Sequence, residues 1–330
     1  MATTYPEIDF VSVEDISKID DESLKTIDLF LISRVWVTAK PDVIQKVTAI
    51  LREHGAKIIL DLDDYWVLES GHSFYRNYQE TGMSNIIREQ IRLADAVTTT
   101  TKYLADKIKP LNANVHIFQN CPHEMYEQFK PEPVPSEKVR FGWFGGAQHT
   151  EDIELLRDSM GVLASDHGLD GKYMVYLGGW NENNPIYNGY ERVFSFNGKN
   201  KNYGRIQAGD IYSYVGGYNF VDVCLAPLRD TTFNKLKSEL KIVEAGWMGK
   251  PVIASNLYPY NDLIQHGVDG FLVDQKRPRD WHKYMKRMIN DPAMVQEMGK
   301  RLQDKIRAMY RVEDITPKRY ELYKKVARHI

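Results

Sequence analysis

Cysteine is nearly missing from this 330-residue chain: Cys121 and Cys224 are the only two, and they stand far apart. They build neither a disulfide framework nor a cysteine metal site, and such usage fits a reducing compartment. An excess of charge is missing as well. Lys and Arg number 43 against 45 Asp and Glu, for a formal net charge of −2. Retention on nucleic acid by bulk positive charge is thereby excluded, while a local basic cleft stays open. No apolar run approaches the roughly 20 residues that cross a bilayer. The opening MATTYPEIDF has neither the basic nor the apolar region of a signal peptide, so a cytoplasmic chain without a transmembrane segment is expected. Repeats and low-complexity tracts are lacking too. What remains is ordinary globular usage, 43% hydrophobic and 27% charged, in a length that suits about two domains.

The pattern along the chain alternates strand and helix. Buried strands are expected at 27–32, 57–60, 96–100 and 115–118, with helices over 41–54, opened by Pro41 and closed near Gly55, and over about 84–94. Strand–helix–strand steps of this length mean parallel βαβ units. Three prolines between Pro131 and Pro135 make a stiff connection and the best linker candidate. The alternation then restarts with strands at 139–144, 173–177, 221–226, 251–254 and 270–273, and a helix over about 152–164. The stretch 178–217, rich in Gly, Asn and Tyr, reads as loop with one short strand near Val193-Phe194. From Asp280 onward the pattern is that of charged amphipathic helices. These elements predict an α/β fold of two open parallel sheets: residues 1–130, then 131–312, with a last helix at 313–330 that packs back on the first domain. Ligands of such sheets bind beyond the carboxyl ends of the strands, here in a cleft between two domains.

The segment most informative about chemistry runs from Phe233 to Ser255. Ser238 suits an N-cap, residues 239–248 have helical spacing, and Gly249 suits the residue after the helix. Lys235, Lys237 and Lys241 crowd the start of this helix, where a macrodipole already favours anions. An anion that compensates the three lysines is one reading; a solvated basic patch is the other. Upstream, Phe141-Gly142-Trp143-Phe144-Gly145-Gly146-Ala147-Gln148-His149 reads as strand, glycine turn and helix start. There the backbone N–H groups can approach a phosphate or sugar closely. His149 itself reads as a polar residue at a helix start.

Taken as K-S-x-x-K-x-x-E followed by G-K-P-V-I-A-S, residues 237–255 resemble the donor-binding signature of GT-B glycosyltransferases, family 4 and its relatives (group 1). The resemblance extends over about residues 57–310. It implies two Rossmann-like domains whose parallel sheets face an interdomain cleft. It also implies transfer of a hexosyl or pentosyl group from a nucleoside-diphosphate sugar to an acceptor hydroxyl, with retention of configuration and without metal or other cofactor. By the same resemblance Glu244 grips the ribose hydroxyls, the Gly145-Gly146 turn and the Ser238 helix start meet the donor, and Lys237 and Lys241 stabilise the leaving diphosphate. The family often carries a second acid eight residues before Glu244; this chain has Leu236 there, and Asn234 and Lys237 are expected to take over the polar work.

Leu60-Asp61-Leu62-Asp63-Asp64-Tyr65-Trp66, with His72 beyond it, admits two readings. Asp-x-Asp at a strand end is how GT-A enzymes hold a divalent metal, but the donor signature lies far downstream. Asp63 and Asp64 are therefore expected on the acceptor side, as in the D-D-x-W segment of similar GT-B chains, with His72 as an acceptor-site base or a loop residue. At the front, Ile8-Asp9-Phe10-Val11-Ser12-Val13 runs into a glycine-free stretch where the family places a glycine loop. The first domain is reduced, and the acceptor is expected to be a glycan or lipid-linked sugar, or else a modified nucleic-acid base. A sugar-nucleotide epimerase of the same fold and a non-catalytic nucleotide-binding partner subunit are the alternatives.

Overall fold

The computed structural model describes residues 5–9, 11–12, 18–123 and 125–327. Phe10 and Val13 of the front stretch and the last three residues of the expected C-terminal helix lie outside the described residues. The chain divides into two compact units. One holds Met1–Asn120, Leu236–Ser238 and Val312–Ile330; the other holds Cys121–Lys235 and Glu239–Arg311.

The first unit contains α1 (Asp21–Thr26), β1 (Leu29–Ser33), α2 (Pro41–Glu53), β2 (Lys57–Leu62), α3 (Tyr75–Thr81), α4 (Met83–Leu93), β3 (Ala96–Thr99), α5 (Lys102–Ile108) and β4 (Val115–Ile117). Its four strands pair in parallel in chain order, with Leu29 opposite Lys57, Ile59 opposite Ala96 and Val97 opposite Val115. Parallel crossovers are right-handed, so a sheet wound in one direction puts all its crossover helices on one face. There Ile58, Leu60, Leu62 and Val97 pack against Ile44 of α2, Ile87 of α4 and Leu104 of α5. The other face carries Ile59 and Ala96, one register step away. The helix Val312–Val326 from the end of the chain covers it, with Leu322 and Tyr323 against Ile59, Ala96 and Phe118.

The second unit contains β5 (Val139–Phe144), α6 (Thr150–Glu154), α7 (Arg157–Ser165), β6 (Tyr173–Trp180), α8 (Ile186–Phe194), β7 (Tyr203–Gln207), β8 (Val223–Ala226), α9 (Leu240–Trp247), β9 (Val252–Ser255), α10 (Tyr260–Leu263), β10 (Gly270–Val273), α11 (Asp280–Asn290) and α12 (Pro292–Met309). Its parallel sheet runs β10-β9-β8-β5-β6-β7. The first strand, β5, thus lies in the middle, and the winding direction reverses between β5 and β8. That reversal is the topological switch point at which open α/β sheets form a crevice.

Three local expectations are corrected. The helix expected over 152–164 is two helices, α6 and α7. Val193 and Phe194 end a helix rather than forming a strand. Tyr187, Tyr190, Val193 and Phe194 recur at helical spacing and are all buried, a face hidden in the sequence by the surrounding Asn and Gly. The remainder of 178–217 also holds β7, a sheet-edge strand only partly buried and so without a long apolar run to announce it. Among the described residues no helix is long and apolar enough to cross a membrane.

Candidate functional site

The switch point of the second unit gathers the glycine turn after β5 and the helix α9. That helix starts at Leu240, with Glu239 as N-cap making no side-chain cap bond. Ser238 is therefore not the cap. It stands one residue earlier, where its Oγ accepts from Asn120 Nδ2 at 3.4 Å, while Tyr310 Oη donates to the Glu239 carboxylate at 2.6 Å and draws it away from the helix start. Gly249 does follow the helix in the left-handed conformation, φ 72°.

Lys241 lies in the first turn of α9. Its Nζ donates to the Phe144 carbonyl at the end of β5 and sits 5.1 Å from the centroid of the Trp143 ring. Glycine is required at 145: a Cβ there would stand 2.7 Å from Trp143 Cζ2 and 2.8 Å from Lys241 Nζ. At Gly146 an added Cβ meets nothing within 4 Å. The ammonium is thus seated against the glycine turn.

Glu244 follows little more than one turn into the helix and is buried, 5% exposed. Its two carboxylate oxygens accept hydroxyl hydrogen bonds from Tyr214 at 2.5 Å and Tyr218 at 3.1 Å. Burial raises this carboxyl above the usual range, and Tyr214, Lys241 and Tyr218 pull it back in part. The ability to accept two hydroxyls at once, expected for a ribose, is here exercised on two tyrosines. Asn234 turns elsewhere: its Nδ2 donates to Asp152 Oδ1 and to the Arg229 carbonyl, both at 2.9 Å. Lys235 pairs with Asp230.

The first unit has its own charged group beyond the ends of β1 and β2. Arg34, with φ 67°, donates in a fork to Asp63 at 2.9 and 2.9 Å and reaches Asp64 at 3.3 Å. Burial raises the Asp64 carboxyl, opposed first by Lys237 and then by Arg34. Lys237 therefore acts on Asp64 in this unit. Asp61 points to the opposite face, where it accepts from Thr98 and lies 4.0 Å from Arg319. His72 Nδ1 accepts from the Phe74 N–H at 3.1 Å, and the ring lines a surface cavity of about 490 Å³ with Ser70, Arg76 and Glu80. Among the described residues no three His, Cys, Asp or Glu side chains are arranged to hold a metal ion.

The sequence-expected residues thus fall into two groups: Gly145, Gly146, Lys241, Glu244 and Asn234 in the second unit, and Asp63, Asp64, His72, Lys237 and Ser238 in the first. Sequence reading missed Arg34, Asp152, Tyr214 and Tyr218. The i,i+4 spacing of the two tyrosines was the available signal. Leu236, at the position of the family's second acid, is buried in the apolar core of the first unit, 5% exposed, where a carboxylate would find no water.

Two parallel α/β units, one with a glycine turn and a Lys-x-x-Glu helix at its switch point, form the GT-B architecture. Residues 240–305 match the family model described as Glycosyl transferases group 1. The expected kinship with group 1 GT-B glycosyltransferases, and with it the enzyme class, is borne out over that segment, and the expected fold by the solved structures. Among solved structures the chain is similar to sucrose-phosphate synthase from Thermosynechococcus elongatus, at 16% identity and a TM-score of 0.66 over 90% of this chain and 73% of that one. It is also similar to HepE from Anabaena in complex with UDP and glucose, at 15% identity and a TM-score of 0.67 over 92% and 80%. A third is described as trehalose-6-phosphate from E. coli bound with UDP-2-fluoro glucose, at 12% identity and a TM-score of 0.64 over 93% and 76%. At such identities the likeness establishes the fold. No curated protein matches the sequence.

Proposed function

We propose that this glycosyltransferase takes its sugar from a UDP-sugar and passes it to a hydroxyl of a glycan or lipid-linked sugar, with retention and without a metal. The observation that carries this reading is the seating of Lys241 against Gly145, with Glu244 one turn on, at the switch point of the second unit. The second unit is the donor side and the first the acceptor side. The bond from the anomeric carbon to the diphosphate oxygen breaks, a bond to the acceptor oxygen forms, and the proton of the acceptor hydroxyl passes to the departing diphosphate. The diphosphate leaves with added negative charge, so the chemistry asks chiefly for preorganised positive charge and N–H donors. Lys241, the start of α9 and the Gly145-Gly146 turn supply them, while Glu244 accepts the ribose hydroxyls in place of Tyr214 and Tyr218, and Lys237 serves the first unit through Asp64. On the acceptor side Asp63, Asp64 and His72 receive the acceptor, with Asp63 held by the Arg34 fork. The UDP found with the structural neighbours supports the choice of base.

Calorimetric titration with UDP, GDP, ADP and CDP, each with and without EDTA, tests this. UDP is expected to bind equally with EDTA present. Glu244→Ala and Lys241→Ala should each lose about tenfold to a hundredfold in affinity, the worth of one charge-assisted hydrogen bond. Binding that needs a divalent metal, or parental affinity in both variants, would refute the donor site. Product analysis with and without an acceptor separates transfer from isomerisation of the donor.

A further inference from the structure

We propose that Asp152 is a positioning residue of the donor site: it fixes the tautomer and orientation of His149, which with Lys241 meets the diphosphate. The inference rests on the donor-site reading and concerns residues which that reading leaves unused. Asp152, in α6 after β5, is 3% exposed. Its carboxylate is nevertheless well paired. Oδ1 accepts from the Arg229 N–H at 2.7 Å and from Asn234 Nδ2 at 2.9 Å, and Oδ2 lies 2.7 Å from His149 Nδ1. Arg229 and Asn234 belong to the connection from β8 to α9, so this one side chain ties together the two segments that leave the sheet on either side of its switch point.

An ionised carboxylate only accepts, so the ring nitrogen facing it must carry the proton. His149 is thereby held with Nδ1–H toward Asp152, and Nε2 is the nitrogen assigned to the diphosphate. The ring is fixed from other sides as well. It packs edge-on against Trp143 at 5.6 Å, and the His149 backbone N–H donates to Tyr190 Oη at 2.8 Å. Trp143 is the same indole over which Lys241 Nζ lies, and against which Gly145 leaves no room for a Cβ. His149 and Lys241 therefore share one aromatic platform at the end of β5. An imidazole locked by a buried carboxylate beside a seated ammonium suits an anionic, oxygen-rich ligand.

Two readouts on the parent, His149→Gln and Asp152→Asn test this. The first is the nitrogen-15 NMR pattern of the histidine rings. One of the nine histidines should show the Nδ1–H tautomer when neutral, vanish in His149→Gln, and shift toward Nε2–H in Asp152→Asn. The second is calorimetric affinity for UDP, expected to fall about tenfold in each variant. The double variant should fall no further, because the two residues act as a unit. UDP affinity within twofold of the parent in His149→Gln overturns the proposal, as does an unchanged His149 tautomer in folded Asp152→Asn. His149→Gln leaves the Asp152 carboxylate in place and keeps the test open should Asp152→Asn fail to fold. A parent protein that binds no nucleotide overturns the donor-site reading, and the proposal with it. Binding by the parent and by His149→Gln alike overturns the proposal alone.

Discussion

The four strands of the first unit pair in chain order, whereas the sheet of the second begins in its middle and reverses between β5 and β8. One-directional winding has a structural consequence. All crossover helices lie on one face, and the other is covered by the helix Val312–Val326. Reversal sends connections to both faces and opens a crevice where they part. In the second unit that crevice collects Lys241, Gly145, Glu244 and the Asp152–His149 pair. Beyond the strand ends of the first, Arg34, Asp63 and Asp64 are engaged with one another. One unit thus closes its sheet with a helix from the end of the chain, while the other parts its connections at the switch point.

The sharpest separation of the two roles comes from the cover. Leu322 is 5% exposed against Ile59, Ala96 and Phe118. Leu322→Ala should cost about 2–4 kcal/mol through lost burial and the cavity left behind, read as an earlier urea transition of the first unit. UDP affinity measured below that transition should stay within twofold of the parent. A joint fall of stability and affinity would break the division of labour between the units.

A smaller effect is expected from one methyl group at the glycine turn. In Gly145→Ala the new Cβ meets Trp143 and displaces Lys241 Nζ, whereas in Gly146→Ala it meets open space. The first should weaken UDP binding about tenfold, on the scale of one charge-assisted contact. The second should leave it within twofold, because both positions have backbone torsions open to alanine: neither is among the glycines at positive φ. Equal losses at both positions would mean that the turn meets the ligand through its backbone alone and that the seating of Lys241 is incidental.

Much of this was legible in the sequence, for reasons that differ from place to place. Strands β8, β9 and β10 are largely buried and read as short, mostly apolar runs, and β5 does so apart from Arg140. The donor segment could be read because its chemistry is local: Lys241 and Glu244 lie one helical turn apart. Tyr214 and Tyr218 were legible only as an i,i+4 pair, because their partner Glu244 stands 30 and 26 residues away. Asp152 has His149 three residues before it, but its other partners, Arg229 and Asn234, stand 77 and 82 residues on. Arg34 escaped for a similar reason, its partners being 29 and 30 residues on. Ser238 failed as a cap although its residue type was right, since Glu239 takes that position and is drawn off by Tyr310.

The two units also bury a carboxyl in different company, and pH offers the finest test of the comparison. Glu244 faces the hydroxyls of Tyr214 and Tyr218 with Lys241 near, while Asp64 has Lys237 and Arg34 to oppose its burial and Asp63 to add to it. Both carboxyls are raised, so the folded protein holds each proton more tightly than the unfolded chain. The resulting stabilisation is complete below the unfolded values, about 4.3 for Glu and 3.9 for Asp, and is lost as pH rises through the raised folded values. Between parent and Glu244→Gln, the stability difference measured by urea unfolding from pH 4.5 to 7.5 should therefore move against the parent as pH rises. Its slope is at most about 1.4 kcal/mol per pH unit, the limit for one proton. Asp64→Asn should show the same sign with a shallower slope, because 36% of that side chain is open to solvent. A steeper slope for Asp64 than for Glu244 would place the more costly buried charge in the first unit. The two units would then differ in the opposite sense from the one that burial of Glu244 implies.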